Sequence, residues 1–399
     1  MKLKILFSIS LFIITAFLSP IECAADEIES LKKKFAELEK RVSEEKMDKP
    51  NIDVGGAFRF NYAYKDFNET NKDKGGDFIF DHLRLNLDVS YKDLILSTQY
   101  RWFGTMDFIH HAWIGYNFTD NFEGQAGLTK VPFGILPYAD HSYWLGAPYY
   151  IGLSDEYDLG LKFIIDNAPW NIQLAFFKNA DWGNPADKDR YSTDIVTDSS
   201  INQANEETNQ VNLRIANTIK HRDENETELG VSLMAGQLYN SLTNDMGSRW
   251  AAAAHLNGFY GPFNLMLEGA WYGFNPENPA GVDDGTVLVG NFGSSYLLAA
   301  KGVIYTANLS YDVPVSWGPI SKLTFYNDYN LLVKNKDSFS DSHMNIPGVM
   351  LTAGPVFTYF EALMGKNMIF LGNETDPMGA GDSDAVWNVR YNINMGYYF

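Results

Sequence analysis

The chain has 399 residues, with 50 acidic against 31 basic side chains and a formal net charge of −19, a balance that argues against nucleic acid as a partner. Aromatic residues make up 15 % and hydrophobic residues 45 % of the chain, with 33 glycines, yet mean hydropathy is slightly negative. Strands that are apolar on one face only give that mixture, because averaging over both faces hides the apolar one.

Residues 1–25 read as an export signal. Lys2 and Lys4 precede an apolar run from Ile5 to Leu18, Ser19-Pro20 breaks it, and small residues at Cys23 and Ala25 fit cleavage after Ala25. The run is too short to span a bilayer as a helix. Glu22, standing before Cys23, argues against lipidation of that cysteine. Cys23 is the single cysteine, so the exported protein is expected to carry neither disulfide nor thiol chemistry.

In 26–50 the period becomes helical. Ile28, Leu31, Phe35, Leu38 and Val42 recur at spacings of 3 and 4, the seam of a short coiled coil, and Pro50 closes the segment. An isolated helix of this length is barely stable in water. The expectation is a periplasmic helix whose copies are brought together by a larger homotrimer, with a lone amphipathic helix or linker as the alternative.

From 51 to 399 the pattern is one of strands. Alternating segments fall at 53–65, 78–91, 94–103, 107–118, 121–130, 158–166, 169–178, 208–219, 225–238, 248–259, 262–273, 296–311, 318–333, 347–358, 365–372 and 385–399, sixteen in all. The breaks between them sort into two alternating classes. Tight ones include Lys92-Asp93, 119–121, 166–170, 260–262 and the stretches near 312–318 and 359–365. Long polar ones lie at 66–77, 131–157, 179–207, 239–247, 274–295, 334–346 and 373–384. One end trimmed and the other elaborate is the pattern of an all-β, transmembrane antiparallel β-barrel of about 16 strands, a shape that also leaves no sheet edge free. In the last strand Trp387, Val389, Tyr391, Ile393, Met395, Tyr397 and Phe399 alternate with polar residues and Gly396. A soluble sandwich would bury that apolar face against a second sheet; the segregated breaks favour lipid instead, with Phe399 at the periplasmic rim on the strand that closes the barrel against the first.

The terminal aromatic strand resembles the C-terminal signal by which outer-membrane barrels engage the assembly machinery, which makes Phe399 a candidate assembly signal. GLTKVPFG at 127–134, the aromatic loop after it and the heptad helix resemble the phosphate-selective porin O and P family. That resemblance implies a sixteen-stranded trimeric porin of the Gram-negative outer membrane, its third external loop folded into the pore and basic residues along the path. The expected partners are outer-membrane lipid, lipopolysaccharide and small ions or solutes.

The break at 131–157 occupies the place of that loop, with Tyr138, Asp140, His141, Tyr143, Trp144, Tyr149, Tyr150, Asp155 and Glu156 as constriction candidates. Its rings are expected to wedge the loop against the wall, with stacking on a solute as the alternative. Alternation assigns Arg59, Arg84, Arg101, Lys162, Arg214, Arg249, Lys322 and Arg390 to the lumen, and with them the acids Asp88, Glu123, Asp166, Glu228, Glu268 and Asp328. The seven histidines sit in no nucleophile motif, and His110-His111, as strand neighbours, are expected on opposite faces, so neither enzyme, metal nor cofactor is expected. Acids crowd 179–207 and 373–384, where they either bridge through divalent cations to lipopolysaccharide or are simply solvated. The expected function is a passive porin for small hydrophilic solutes with a weak anion preference, the alternative a structural barrel tethering the coiled coil to the cell wall or a partner.

Overall fold

The computed structural model describes residues 32–37, 49–181 and 183–399. Residues 32–37 are helical and exposed, Phe35 included. The rest of the expected seam, Ile28, Leu31, Leu38 and Val42, lies outside the described residues, as does the signal segment 1–25, and six helical residues are too few to show a coiled coil.

Residues 51–399 form a closed antiparallel barrel of 16 strands. In chain order these are β1 (Asn51–Lys65), β2 (Asp77–Tyr91), β3 (Leu94–Phe103), β4 (Asp107–Thr119), β5 (Phe122–Lys130), β6 (Tyr157–Asn167), β7 (Trp170–Asn179), β9 (Asn205–Lys220), β10 (Glu226–Asn240), β11 (Met246–Tyr260), β12 (Phe263–Asn275), β15 (Lys301–Trp317), β16 (Ile320–Lys334), β17 (Ser342–Ala353), β18 (Val356–Lys366) and β19 (Asn388–Tyr398). Three short strands, β8 (Asp194–Ile195), β13 (Thr286–Asn291) and β14 (Ser294–Ala299), form a separate sheet in the order β14-β13-β8 within the long loops.

The alternation is sharp. On β6, Leu159, Leu161, Phe163 and Ile165 are 37–49 % exposed while Lys162 between them is 5 % exposed. Apolar faces turned outward and polar faces turned inward invert the order of a soluble protein, which is stable only where the outside is hydrocarbon.

One end of the barrel is trimmed to short turns, and these carry a repeated device. Gly261-Pro262, Gly318-Pro319 and Gly354-Pro355 each place glycine in the left-handed region, at φ of 58°, 61° and 59°. Glycine meets no steric penalty there, and the proline that follows offers only a carbonyl. Those of Pro262 and Pro355 accept from Asp312 N and Tyr398 N on the next strand, at 2.8 and 2.9 Å.

Several boundaries move from their expected places. Segment 347–358 runs through a turn, because the true hairpin is β17 to β18 around Gly354-Pro355 and the following loop begins at 367 rather than 373. Pro347, expected to open a strand, instead sits within β17 opposite Asn327, tolerated because Ile346 and Pro347 have no paired partner on β18. Segment 296–311 merges the end of β14 with β15. The break 104–106 stands at the elaborate end yet has only three residues, so the segregation of long from short is not complete.

The seam closes as expected: β1 pairs with β19 from Ala57–Tyr398 to Lys65–Arg390. Phe399 extends it, its N–H donating to Gly56 O at 3.1 Å and its carbonyl accepting from Gly56 N at 2.9 Å. Its ring lies over Gly56, where an added Cβ would stand 2.4 Å from the Arg84 carbonyl oxygen and 2.6 Å from that ring. Gly56→Leu should therefore wedge the seam at a cost of ~1–3 kcal/mol, the usual range for overpacking. The folded form on a detergent gel should unfold at lower temperature than wild type; equal heat resistance would show the ring can simply swing aside.

Candidate functional site

The loop 131–156, between β5 and β6, does not project from the barrel. It crosses the lumen and is held there through its backbone amides. Ile135 N donates to Glu268 at 2.8 Å, His141 N and Ser142 N both donate to Asp328 at 2.8 Å, Tyr143 N donates to Glu361 at 2.7 Å, and Ala147 N donates to Asn330 at 2.9 Å. The acceptors stand on β12, β16 and β18, so one loop is moored to much of the far wall. Two of them, Glu268 and Asp328, were assigned to the pore lining. Their place is instead beneath the loop, which uses up their acceptor capacity.

Between the loop and the wall lies a cavity of about 710 Å³. Five of the eight expected bases line it: Arg59, Arg84, Arg101, Lys322 and Arg390. The other three are buried in the wall. Lys162 donates to the Lys130 carbonyl at 3.0 Å, Arg214 lies between the Gly134 carbonyl at 2.8 Å and Glu228, and Arg249 pairs with Glu207. None of the six expected acids lines the cavity. Asp88 accepts from Ser97 and Glu123 from Gln125, each at 2.6 Å, Glu228 is held by Arg214 and His255, and Asp166 is exposed at the turn end of β6. The acids that do line it are Asp81, Asp140, Asp155 and Asp312.

Of the loop candidates, Tyr138, Asp140, His141, Tyr143, Trp144, Tyr150 and Asp155 face the cavity, while Tyr149 and Glu156 are buried behind it. Two of the rings lie against cations. The Arg59 guanidinium lies 4.1 Å from the Tyr143 ring and that of Arg390 4.1 Å from the Trp144 ring, distances at which a cation over an aromatic face is attracted.

Arg84 and Arg101 face each other across β2 and β3, with Arg59 opposite His82 on the neighbouring pair. No ion pair joins Arg59, Arg84 or Arg101 to a carboxylate among the described residues. Arg59 is held instead by Asn394, at 2.7 Å, and by the Tyr398 hydroxyl, and Arg101 by Gln99 at 2.6 Å. By contrast Lys322 is paired with Asp312 at 2.9 Å, and Asp155 with Lys130. One wall of the cavity thus carries guanidiniums whose positive charge is not cancelled.

Two β-bulges shape this wall. Asp81 is the extra residue of β2 against β1, and His110 that of β4 against β3. A bulge sets two successive residues on one side. Asp81 and His82 therefore both face the cavity, and the expectation that His110 and His111 point to opposite faces is corrected: their Nδ1 atoms are 2.9 Å apart. The sequence does carry a signal for the first, since the apolar residues Phe78 and Phe80 change parity to Leu83, Leu85 and Leu87 across it.

Burial and the charge of Asp328 push the Asp140 carboxyl up to about 8 from its ordinary 3.8. Between those values the folded state holds a proton that the unfolded chain has released, so this group makes stability fall as pH rises through that window. Above the window Asp140 adds a negative charge to the cavity. The charge selectivity of any ion flow through the cavity should therefore shift toward cations between pH 6 and pH 9, and Asp140→Asn should remove most of that shift; an unchanged pH dependence in the variant would assign it elsewhere.

No protein-family model matches the chain, and no curated protein matches it. Solved structures do. OmpT, an outer membrane protein of Vibrio cholerae in its trimer form, superposes with a TM-score of 0.55 at 14 % identity, covering 88 % of this chain and 100 % of that one. The outer membrane channel DcaP of Acinetobacter baumannii gives 0.57 at 13 % identity, over 88 % and 97 % of the two chains. An anion-selective porin from Comamonas acidovorans gives 0.52 at 13 % identity, over 88 % and 100 %. The likeness is one of fold.

Proposed function

We propose that the protein is an outer-membrane porin, a passive water-filled channel for small hydrophilic solutes that prefers anions. The observation that carries this reading is the set of three arginines, Arg59, Arg84 and Arg101, lining the cavity without an ion-pair partner among the described residues. Fixed charge attracts counter-ions most strongly where low-dielectric walls confine the field, and screening over about 8 Å at physiological salt makes the nearest wall outweigh the net charge of the chain. Guanidinium groups also present several donors to phosphate or carboxylate oxygens. Two of the structures that share the fold are described as a channel and as an anion-selective porin, which supports the reading. Reconstituted into a planar bilayer, the protein should conduct, and across a KCl gradient the reversal potential should favour chloride. A silent barrel would overturn the channel, and a shift favouring potassium would overturn the preference.

The proposed assembly is a homotrimer, supported by the trimer form of one structure with the same fold. Removing residues 26–46 should lower the temperature at which the trimer dissociates in detergent without abolishing channels. Monomers found by light scattering of the intact protein would count against it.

A further inference from the structure

Behind the constriction loop, away from the cavity, three carboxylates converge. Glu156 ends the loop, Asp158 is the second residue of β6 and Asp194 opens β8, and each offers an oxygen within 4.8 Å of the others. They are 5 %, 2 % and 0 % exposed. Glu156 Oε2, Asp158 Oδ1 and Asp194 Oδ1 are buried and accept no hydrogen bond, a costly arrangement for ionised oxygens. The remaining oxygens are engaged: Asp158 Oδ2 accepts from Gln210 at 3.1 Å and Asp194 Oδ2 from Arg190 at 2.9 Å. Arg190 also meets Asp181, and Arg249 is committed to Glu207. Five carboxyl groups thus share two guanidiniums, which leaves three without a cationic partner among the described residues, in a dry place.

We infer that Glu156, Asp158 and Asp194 bind a divalent cation of the hard, oxygen-seeking class, Ca²⁺ or Mg²⁺, which clamps the end of the constriction loop to the outer sheet. Hard cations take carboxylate oxygens, Ca²⁺ at about 2.3–2.6 Å, and two oxygens sharing one such ion stand at most about 5 Å apart. The observed separations satisfy that limit. Since the three ligands come from the loop, from the barrel wall and from the sheet order β14-β13-β8, the ion ties together elements that the chain itself joins only through long connections.

The test uses the full-length protein in detergent, stripped with a chelator and titrated with Ca²⁺ or Mg²⁺ alone. Wild type should gain one site per chain over Asp158→Asn/Asp194→Asn, and its unfolding temperature should climb with cation concentration as binding to the folded state requires. In chelator the double variant should be at least as heat-resistant as wild type, because two of the crowded charges are gone, and added cation should leave it unmoved. Asp382→Asn/Asp384→Asn, in an exposed loop, should respond like wild type. The proposal is overturned if wild type shows no cation-dependent shift at millimolar concentration, or if the double variant shows the same shift and the same stoichiometry. Should the double variant fail to assemble, terbium luminescence decides on wild type: emission excited through the tyrosines and displaced by Ca²⁺ supports the site, and emission equal in Glu156→Gln overturns it.

Discussion

Replacing Arg59, Arg84 and Arg101 together by alanine should abolish the proposed preference for chloride. A perfectly selective channel develops about 59 mV across a tenfold gradient of a monovalent salt, so the wild-type signal lies within that bound and the variant should fall to zero or cross it. The sign follows from what remains. Lys322 is neutralised by Asp312 at 2.9 Å, and Asp81 and Arg390 keep facing the cavity as the main remaining charges, joined by Asp140 once it loses its proton at about pH 8. The barrel should survive, because its ladders are backbone bonds and only side-chain contacts of Arg59 and Arg101 are lost. Lys72 and Lys74 form the control. Each is paired within the first outer loop, with Glu69 at 2.9 Å and Asp77 at 2.6 Å, and their removal should leave the reversal potential almost unmoved. An unchanged preference in the triple variant would move the source of selectivity away from this wall.

The second large effect is expected from the moorings of the loop. Asp328, Glu268 and Glu361 between them accept four backbone amides of the constriction loop. Each buried amide left without an acceptor costs ~1–3 kcal/mol, so Asp328→Ala/Glu268→Ala/Glu361→Ala removes enough to let the loop leave its place. Single-channel recordings should then show higher conductance with frequent large steps, and the loop should become a site of protease nicking while the barrel stays intact. Quiet openings of wild-type size would mean that the cation–aromatic contacts of Tyr143 and Trp144 hold the loop unaided.

Strands were legible wherever one face met hydrocarbon. The run Leu159, Leu161, Phe163, Ile165 announces itself, because lipid asks only for apolar side chains at period two. The lumen asks for something less regular. Lys162, Arg214 and Arg249 have the parity of pore residues and do face inward, but the loop and its neighbours cover them, and no local pattern foretells which lumen positions a distant segment will use. The acids show the same limit: Asp328 and Glu268 are inward by alternation, and only the folded loop reveals them as acceptors for its amides. Asp81 was missed because a bulge suspends alternation just where the arginine wall is built. Gly354-Pro355 was missed because apolar residues on both sides of it let 347–358 read as one strand. TVLVGN at 286–291 was placed in the long break 274–295, yet it forms β13 and is buried along its whole length, because it serves the loops instead of the barrel.

That small outer sheet changes what the extracellular end can tolerate. Val287, Val289, Leu298 and Ile195 pack with Tyr149, Tyr150 and Tyr296 in a shared apolar core, and the Tyr296 hydroxyl donates to the Tyr150 carbonyl at 2.8 Å. Loops of this kind do not diversify one at a time. A peptide epitope spliced at 337–338, where the chain is exposed, should be displayed without disturbing its neighbours. The same epitope spliced at 288–289 would have to be accommodated by segments a hundred residues away, so the outer surface is free to vary at its edges and constrained at its centre.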